Sequence, residues 1–341
     1  QSTKERPTGE IIYKGEDALP YVGKNLLMVA DGMGGAAAIR HQKFNPEMFD
    51  QEKLLDVLFH DVFEYYGDEE FREYVLKSFY EFLSIKDCYF DNINNIKKGG
   101  YFASRLVSAI MLYEILIYEK KEFEDGKIFE QFNSKDEAER TEMATELGKY
   151  FRDQIQSKLQ QIAKNANLIY ESSYSGLALL GTTLCATIFH EQDDVVEAFY
   201  LVAGDSRPYM WNESGLYQVM DDQEGADGGM TNYIKANEGE SFDVVCEYKK
   251  FSKPCILFNA TDGCFDSKYF PSQMAFEKLI LDSIIASDSI DDAGKKVEET
   301  FLEYGKHDDS STIALKVFGY TEYDQLKEAA RKRLAYLNDT Y

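Results

Sequence analysis

The chain has 341 residues and carries 37 Lys and Arg against 61 Asp and Glu, a formal net charge of −24. Hydrophobic residues make up 44% and charged residues 29%, a globular mix and not that of a disordered or fibrous chain. Such acidity argues against a nucleic-acid or anionic-membrane partner, which would need a basic face, and apolar runs such as 26–30, 109–112 and the six residues 198–203 fall far short of the roughly 20 residues that cross a bilayer.

The N-terminal residues 1–17 are polar and show no signal-peptide core. A strand is predicted over 26–30, rich in Leu, Met and Val. Residues 40–98 differ in texture, being acidic, helix-like and very aromatic, with Phe59, Phe63, Tyr65, Phe71, Tyr74, Phe79, Tyr80 and Phe82. They read as a small helical insertion. A helix over 102–118 places Leu106, Ile110, Tyr113 and Ile117 on one stripe, and a second over 138–168 does so with Leu147, Phe151, Ile155, Leu159 and Ile162. Strands follow at 183–189, 195–203 and 255–260. A helix pair is predicted at 274–287 and 290–304, a strand at 311–318, and a last amphipathic helix at 323–337 within a C-terminal segment 321–341. The five cysteines, Cys88, Cys185, Cys246, Cys255 and Cys264, are odd in number and lack metal-ligand spacing. A reduced, cytoplasmic protein with buried thiols is the expectation.

The ends of the strands carry the chemistry. The strand 26–30 runs into Asp31-Gly32-Met33-Gly34-Gly35, 195–203 into Gly204-Asp205-Ser206-Arg207, and 255–260 into Thr261-Asp262-Gly263, while Asp308-Asp309 stands just before 311–318. Glycine beside the acid lets the chain turn sharply and brings the backbone close to a ligand. Any one Asp-Gly is ordinary turn chemistry. If the ends converge, however, their carboxylates need a cation to stay ionised together, and oxygen-only ligation suits hard divalent ions such as Mg²⁺ or Mn²⁺. With four His and none paired in spacing, a zinc site is not expected. Gly32 to Ala37 also satisfies G-x-G-x-x-A after a strand. No second strand with an acidic end follows at the spacing a dinucleotide fold needs, and that reading is rejected.

The ordered set Glu16-Asp17, Asp31-Gly-Met-Gly-Gly, Gly181-Thr182-Thr183, Gly204-Asp205-Ser206-Arg207, Asp262-Gly263 and Asp308-Asp309 resembles the metal-dependent protein phosphatases of the PP2C family. The resemblance runs from about residue 15 to 318, outside 40–98, and Met in the DGMGG motif resembles the bacterial branch. It implies an α+β fold, a PP2C-like α-β-β-α sandwich of two antiparallel sheets flanked by helix pairs, formed by residues 1–39 and 99–320. It implies two metal ions, Mg²⁺ or Mn²⁺, sharing Asp31, with the Gly32 carbonyl and Glu16 at the second ion and Asp262 and Asp308 at the first. Asp205 matches a ligand of a third, weaker ion. The activity implied is hydrolysis of phosphoserine or phosphothreonine on a phosphoprotein, by a metal-bridged hydroxide attacking phosphorus in line.

The chain departs from the family at several points. The family's phosphate-gripping Arg stands four residues before the acidic motif, where this chain has Ile12. Arg6 or Lys14 are the stand-ins. A shifted register would put Glu10 opposite the family Glu with Arg6 four before it; Glu16 is the better match. Met33 cannot serve as the general acid that His provides in some relatives, and His41 and His307 read as surface or structural residues. The stretch between Arg207 and Asp262 is short where relatives carry a flap, and its acidic part, 221–229, reads as a solvated loop. The insertion 40–98 would leave the site directly, and its expected role is to shape substrate choice or meet a partner. The rival reading is a catalytically weak or inactive module of the same fold that binds and regulates a partner protein.

Overall fold

A computed structural model of the chain describes residues 4–5, 11–12, 17–18, 20–32, 99–122, 126–165, 180–221, 223, 232–236, 242–265, 272–304 and 312–340. The expected helical insertion at 40–98 lies outside the described residues, as do Arg6, Lys14, Glu16 and Asp308.

Two antiparallel sheets stand at the centre. One has five strands in the order β11-β7-β6-β4-β3 and the other four in the order β13-β12-β8-β9. The first contains β3 (Tyr21–Val22), β4 (Leu26–Val29), β6 (Leu184–Glu191), β7 (Val195–Ala203) and β11 (Val245–Ser252). The second contains β8 (Arg207–Asn212), β9 (Gly215–Gln218), β12 (Cys255–Ala260) and β13 (Ile313–Phe318). Two small pairs complete the strands, β1 (Lys4–Glu5) with β2 (Ile11–Ile12) and β5 (Gly181–Thr182) with β10 (Ile234–Lys235).

Side-chain alternation divides the interior into layers. On β7, Val196, Ala198, Tyr200 and Val202 face the second sheet, where they meet Leu257, Ala314 and Phe318. The intervening Phe199, Leu201 and Ala203 face helices α1 (Gly99–Glu122), α2 (Lys127–Asn133) and α3 (Glu137–Asn165). On the far side, Tyr209, Trp211, Ile256 and Phe258 pack against α4 (Gln273–Ile285), α5 (Ile290–Tyr304) and α6 (Tyr323–Thr340). The molecule is therefore a helix–sheet–sheet–helix sandwich, the layer order expected from the sequence.

Local chemistry starts the helices. Asp136 and Glu139 form a reciprocal capping box at α3, each side chain accepting the other's backbone N–H at 3.0 and 3.1 Å. Ser272 accepts the Ala275 N–H at 3.2 Å at α4, and Ser289 accepts the Asp292 N–H at 3.1 Å at α5. The predicted stripe Leu147, Phe151, Ile155 and Leu159 of α3 is buried. The free thiols of Cys185, Cys255 and Cys264 are buried and that of Cys246 is half-buried. No helix among the described residues is long and apolar enough to cross a membrane.

A polar clamp joins the two sheets. Asn259 on β12 is fully buried. Its Nδ2 donates to the carbonyls of Leu27 on β4 (3.1 Å) and Cys185 on β6 (3.2 Å), and its Oδ1 accepts the Thr187 hydroxyl at 2.7 Å. It fastens the sheets just upstream of the residues that end in Asp31 and Asp262.

Candidate metal centre

Register decides which residues meet. Val29 on β4 pairs with Cys185 on β6, so Asp31 emerges beside Thr183. Leu184 pairs with Ala203 on β7, which delivers Gly204 and Asp205 to the same end. In the second sheet Ala260 pairs with both Arg207 and Ile313, placing Thr261 and Asp262, Ser206 and Thr312 at one end as well. The Ala18 N–H donates to the Ala30 carbonyl at 2.9 Å, and this lays Asp17 along the outgoing β4. Six separate chain segments thus reach one end of the sandwich, as the strand-end motifs suggest.

Asp31 keeps part of its surface open to solvent while its carboxyl is packed round by protein. Burial holds that carboxyl well above the usual carboxylate range, and the charges of Asp17 and Asp262, with hydrogen-bonding contact to both side chains, push it further up. The backbone of Asp31 is fixed independently. Its carbonyl accepts the Thr182 hydroxyl (2.6 Å) and the Thr183 N–H (2.8 Å), and its N–H donates to Thr183 Oγ1 at 3.1 Å. Gly32 bridges to Thr182.

Thr183 also reaches the Asp205 turn, its hydroxyl lying 2.7 Å from that of Ser206. That turn needs glycine. Gly204 has φ +101°, and a Cβ there would lie 2.7 Å from Thr183 Cγ2. Gln223 pins it further, its backbone N–H donating to the Gly204 carbonyl and its Oε1 accepting the Gly204 N–H, both at 3.2 Å. Asp262 opens a single 3₁₀ turn, Asp262–Cys264, and the Arg207 guanidinium stacks 3.9 Å over the Phe265 ring that follows.

Of the residues expected from the sequence, the structure brings Asp31 and Asp262 together, with Gly32 beside Asp31 and Asp205 on the adjoining turn. It also places Asp17 at Asp31. The sequence reading assigned the acidic position to the neighbouring Glu16, which lies outside the described residues, and gave Asp17 no role. The hydroxyls of Thr183, Ser206 and Thr261 stood inside the quoted motifs without an assigned role, since only register reveals their partners.

The donor chemistry fits a hard divalent cation, with oxygen ligands only, partly desolvated and mutually repelling. Among the described residues no three His, Cys, Asp or Glu side chains are arranged as a formed ion-binding group; the carboxylates are neighbours at charge range.

No family model matches the chain, and no curated protein matches it. Among solved structures it is similar to the catalytic domain of the serine/threonine protein phosphatase PstP in complex with two manganese ions, at 15% identity over 91% of this chain and 94% of that one, with a TM-score of 0.42. It is similar to a bacterial serine phosphatase at 15% identity over 94% and 97%, TM-score 0.47. It is also similar to the serine/threonine phosphatase Stp1 from Staphylococcus aureus at 15% identity over 93% of both chains, TM-score 0.45. Likeness this distant carries no activity over to the present chain.

Proposed function

We propose that the chain is a metal-dependent phosphatase that hydrolyses phosphoserine or phosphothreonine on proteins. The observation that carries this reading is the meeting of Asp17, Asp31 and Asp262, drawn from three distant parts of the sequence, at one end of a two-sheet sandwich where their charges oppose one another. Buried like charges persist in proteins chiefly where a bound group offsets them. The order of the motifs supports the same reading.

In this proposal Asp31, the Gly32 carbonyl, Asp262, Asp308 and Asp205 hold Mg²⁺ or Mn²⁺ together with the acidic pair Glu16-Asp17, and Arg6 or Lys14 grips phosphate. The bound cations would acidify water and neutralise the phosphate oxygens. The chain's own contribution is to hold the carboxylates on rigid strand ends. Thr182 and Thr183 fix the Asp31 backbone, and Gly204 turns Asp205 toward the same end. Residues 40–98 follow directly on the DGMGG motif in sequence and are proposed to select the protein substrate.

The test is hydrolysis of an aryl phosphate with Mn²⁺, with Mg²⁺ and with chelator. Metal-dependent turnover that falls at least about 100-fold in Asp31→Asn is expected. No turnover with either metal would refute the enzyme and favour a binding module.

A further inference from the structure

One buried hydroxyl in the candidate centre has its hydrogen-bonding capacity settled by its surroundings. Thr261 is fully buried and directly precedes Asp262. Its Oγ1 accepts the backbone N–H of Thr312 at 2.9 Å, while its own N–H donates to the Thr312 carbonyl at 3.0 Å. A backbone N–H can only donate, so the threonine oxygen is the acceptor in that contact. A hydroxyl has a single proton, and Oγ1 donates it to Asp17 Oδ2 at 2.9 Å, with the Cys264 side chain a further hydrogen-bonding neighbour. The proton therefore points at the carboxylate. Thr183, by contrast, meets Asp31 through backbone atoms. The Thr261 hydroxyl reaches a carboxylate of the centre, across 244 positions of sequence.

We propose that Thr261 is a positioning residue for cation binding: its hydroxyl sets the Asp17 carboxylate in register with Asp31 and Asp262. The inference rests on the metal-dependent reading above. A donor fixed by the β12–β13 ladder locks the acceptor carboxylate into one orientation. A carboxylate already oriented loses less freedom when a cation arrives. A valine of the same shape would leave the packing but remove the donor. Asp17 would lose that donor, and the Thr312 N–H would lose a side-chain acceptor. A serine would restore the hydroxyl.

The experiment is calorimetric titration of the metal-free full chain with Mn²⁺, comparing wild type, Thr261→Val and Thr261→Ser. The Mn²⁺ dissociation constant of the tightest site is expected to rise about 10- to 100-fold in Thr261→Val and to stay within about 3-fold of wild type in Thr261→Ser, which keeps the donor. A purely structural role would lower the thermal midpoint without moving the dissociation constant of the folded protein. Wild-type affinity in Thr261→Val, or equal losses in the valine and serine variants, would overturn the proposal. Should the valine variant fail to fold, Thr261→Cys supplies a weaker donor, and its dissociation constant must lie above that of Thr261→Ser; equality would overturn the proposal. Wild type that takes up no Mn²⁺ would instead defeat the metal-dependent reading, and this inference with it.

Discussion

Replacing Asn259 by Leu probes whether the two sheets are held in register by polar contacts as well as by apolar packing. Asn259 makes three buried hydrogen bonds to the opposite sheet, at 2.7, 3.1 and 3.2 Å. Leucine has the same number of side-chain heavy atoms and the same branching at Cγ, so no cavity is left. The Thr187 hydroxyl would lose its acceptor, costing about 1–3 kcal/mol, and each of the two carbonyl bonds contributes roughly 0.5–1.5 kcal/mol net. Part of the loss is offset by the apolar side chain, leaving an expected destabilisation of about 2–4 kcal/mol. Equilibrium urea unfolding followed by the fluorescence of Trp211, the single tryptophan and a buried one, reads it directly. The companion variant Thr187→Val orphans Asn259 Oδ1 and should cost about 1–3 kcal/mol alone. In the double variant both partners are apolar, so the combined loss should fall well below the sum. A change within about 0.5 kcal/mol for Asn259→Leu, or additive losses in the double variant, would refute the reasoning.

Two further perturbations follow from single observations. Burial acts to raise the carboxyl of Glu197, but hydrogen bonds from Tyr248, Asn133 and Lys250, with the Lys250 charge, outweigh it and hold the group below its usual value of 4.5. Its folded value is depressed, so the unfolded chain binds more protons as pH drops. The stability it confers is present above about pH 4.5 and is lost as pH falls through the folded value. Thermal midpoints measured from pH 7 to pH 3 should fall less steeply in Glu197→Gln than in wild type, and parallel curves would contradict the assignment. Gly204→Ala places a side chain at φ +101° and against Thr183 Cγ2, at a cost of about 1–3 kcal/mol. A lowered thermal midpoint, with weakened binding of any ion held by Asp205, is the expected result.

Much of the architecture was legible because periodicity reports burial. Strands with two largely apolar faces, β4, β7 and β12, lie inside the sandwich, and their sequences are near-continuous apolar runs, broken by Glu197 in β7 and Asn259 in β12. The helix over 290–304 was bounded correctly. Strand β11 was not read. It ends the five-stranded sheet, and its Glu247, Lys249 and Lys250 interrupt the apolar pattern. Strand β8 begins Arg-Pro and β9 has four residues, too little signal for a local reading.

The acidic ends were visible for the same reason: an Asp closing an apolar run and followed or preceded by Gly is a local pattern, and Asp31, Asp205 and Asp262 could each be named from it. Their meeting is not local. Asp17 is laid beside Asp31 by the backbone hydrogen bond from its neighbour Ala18 to the Ala30 carbonyl. Thr261 reaches Asp17 across 244 positions. Both contacts depend on strand register, in which a shift of one residue would turn every side chain to the other face. Residue type and spacing determined which groups are available to hold a cation, because those follow from short-range sterics and burial. Which carboxylate stands beside which, and which hydroxyl holds it, was decided only when packing of the two sheets set the pairing of their strands.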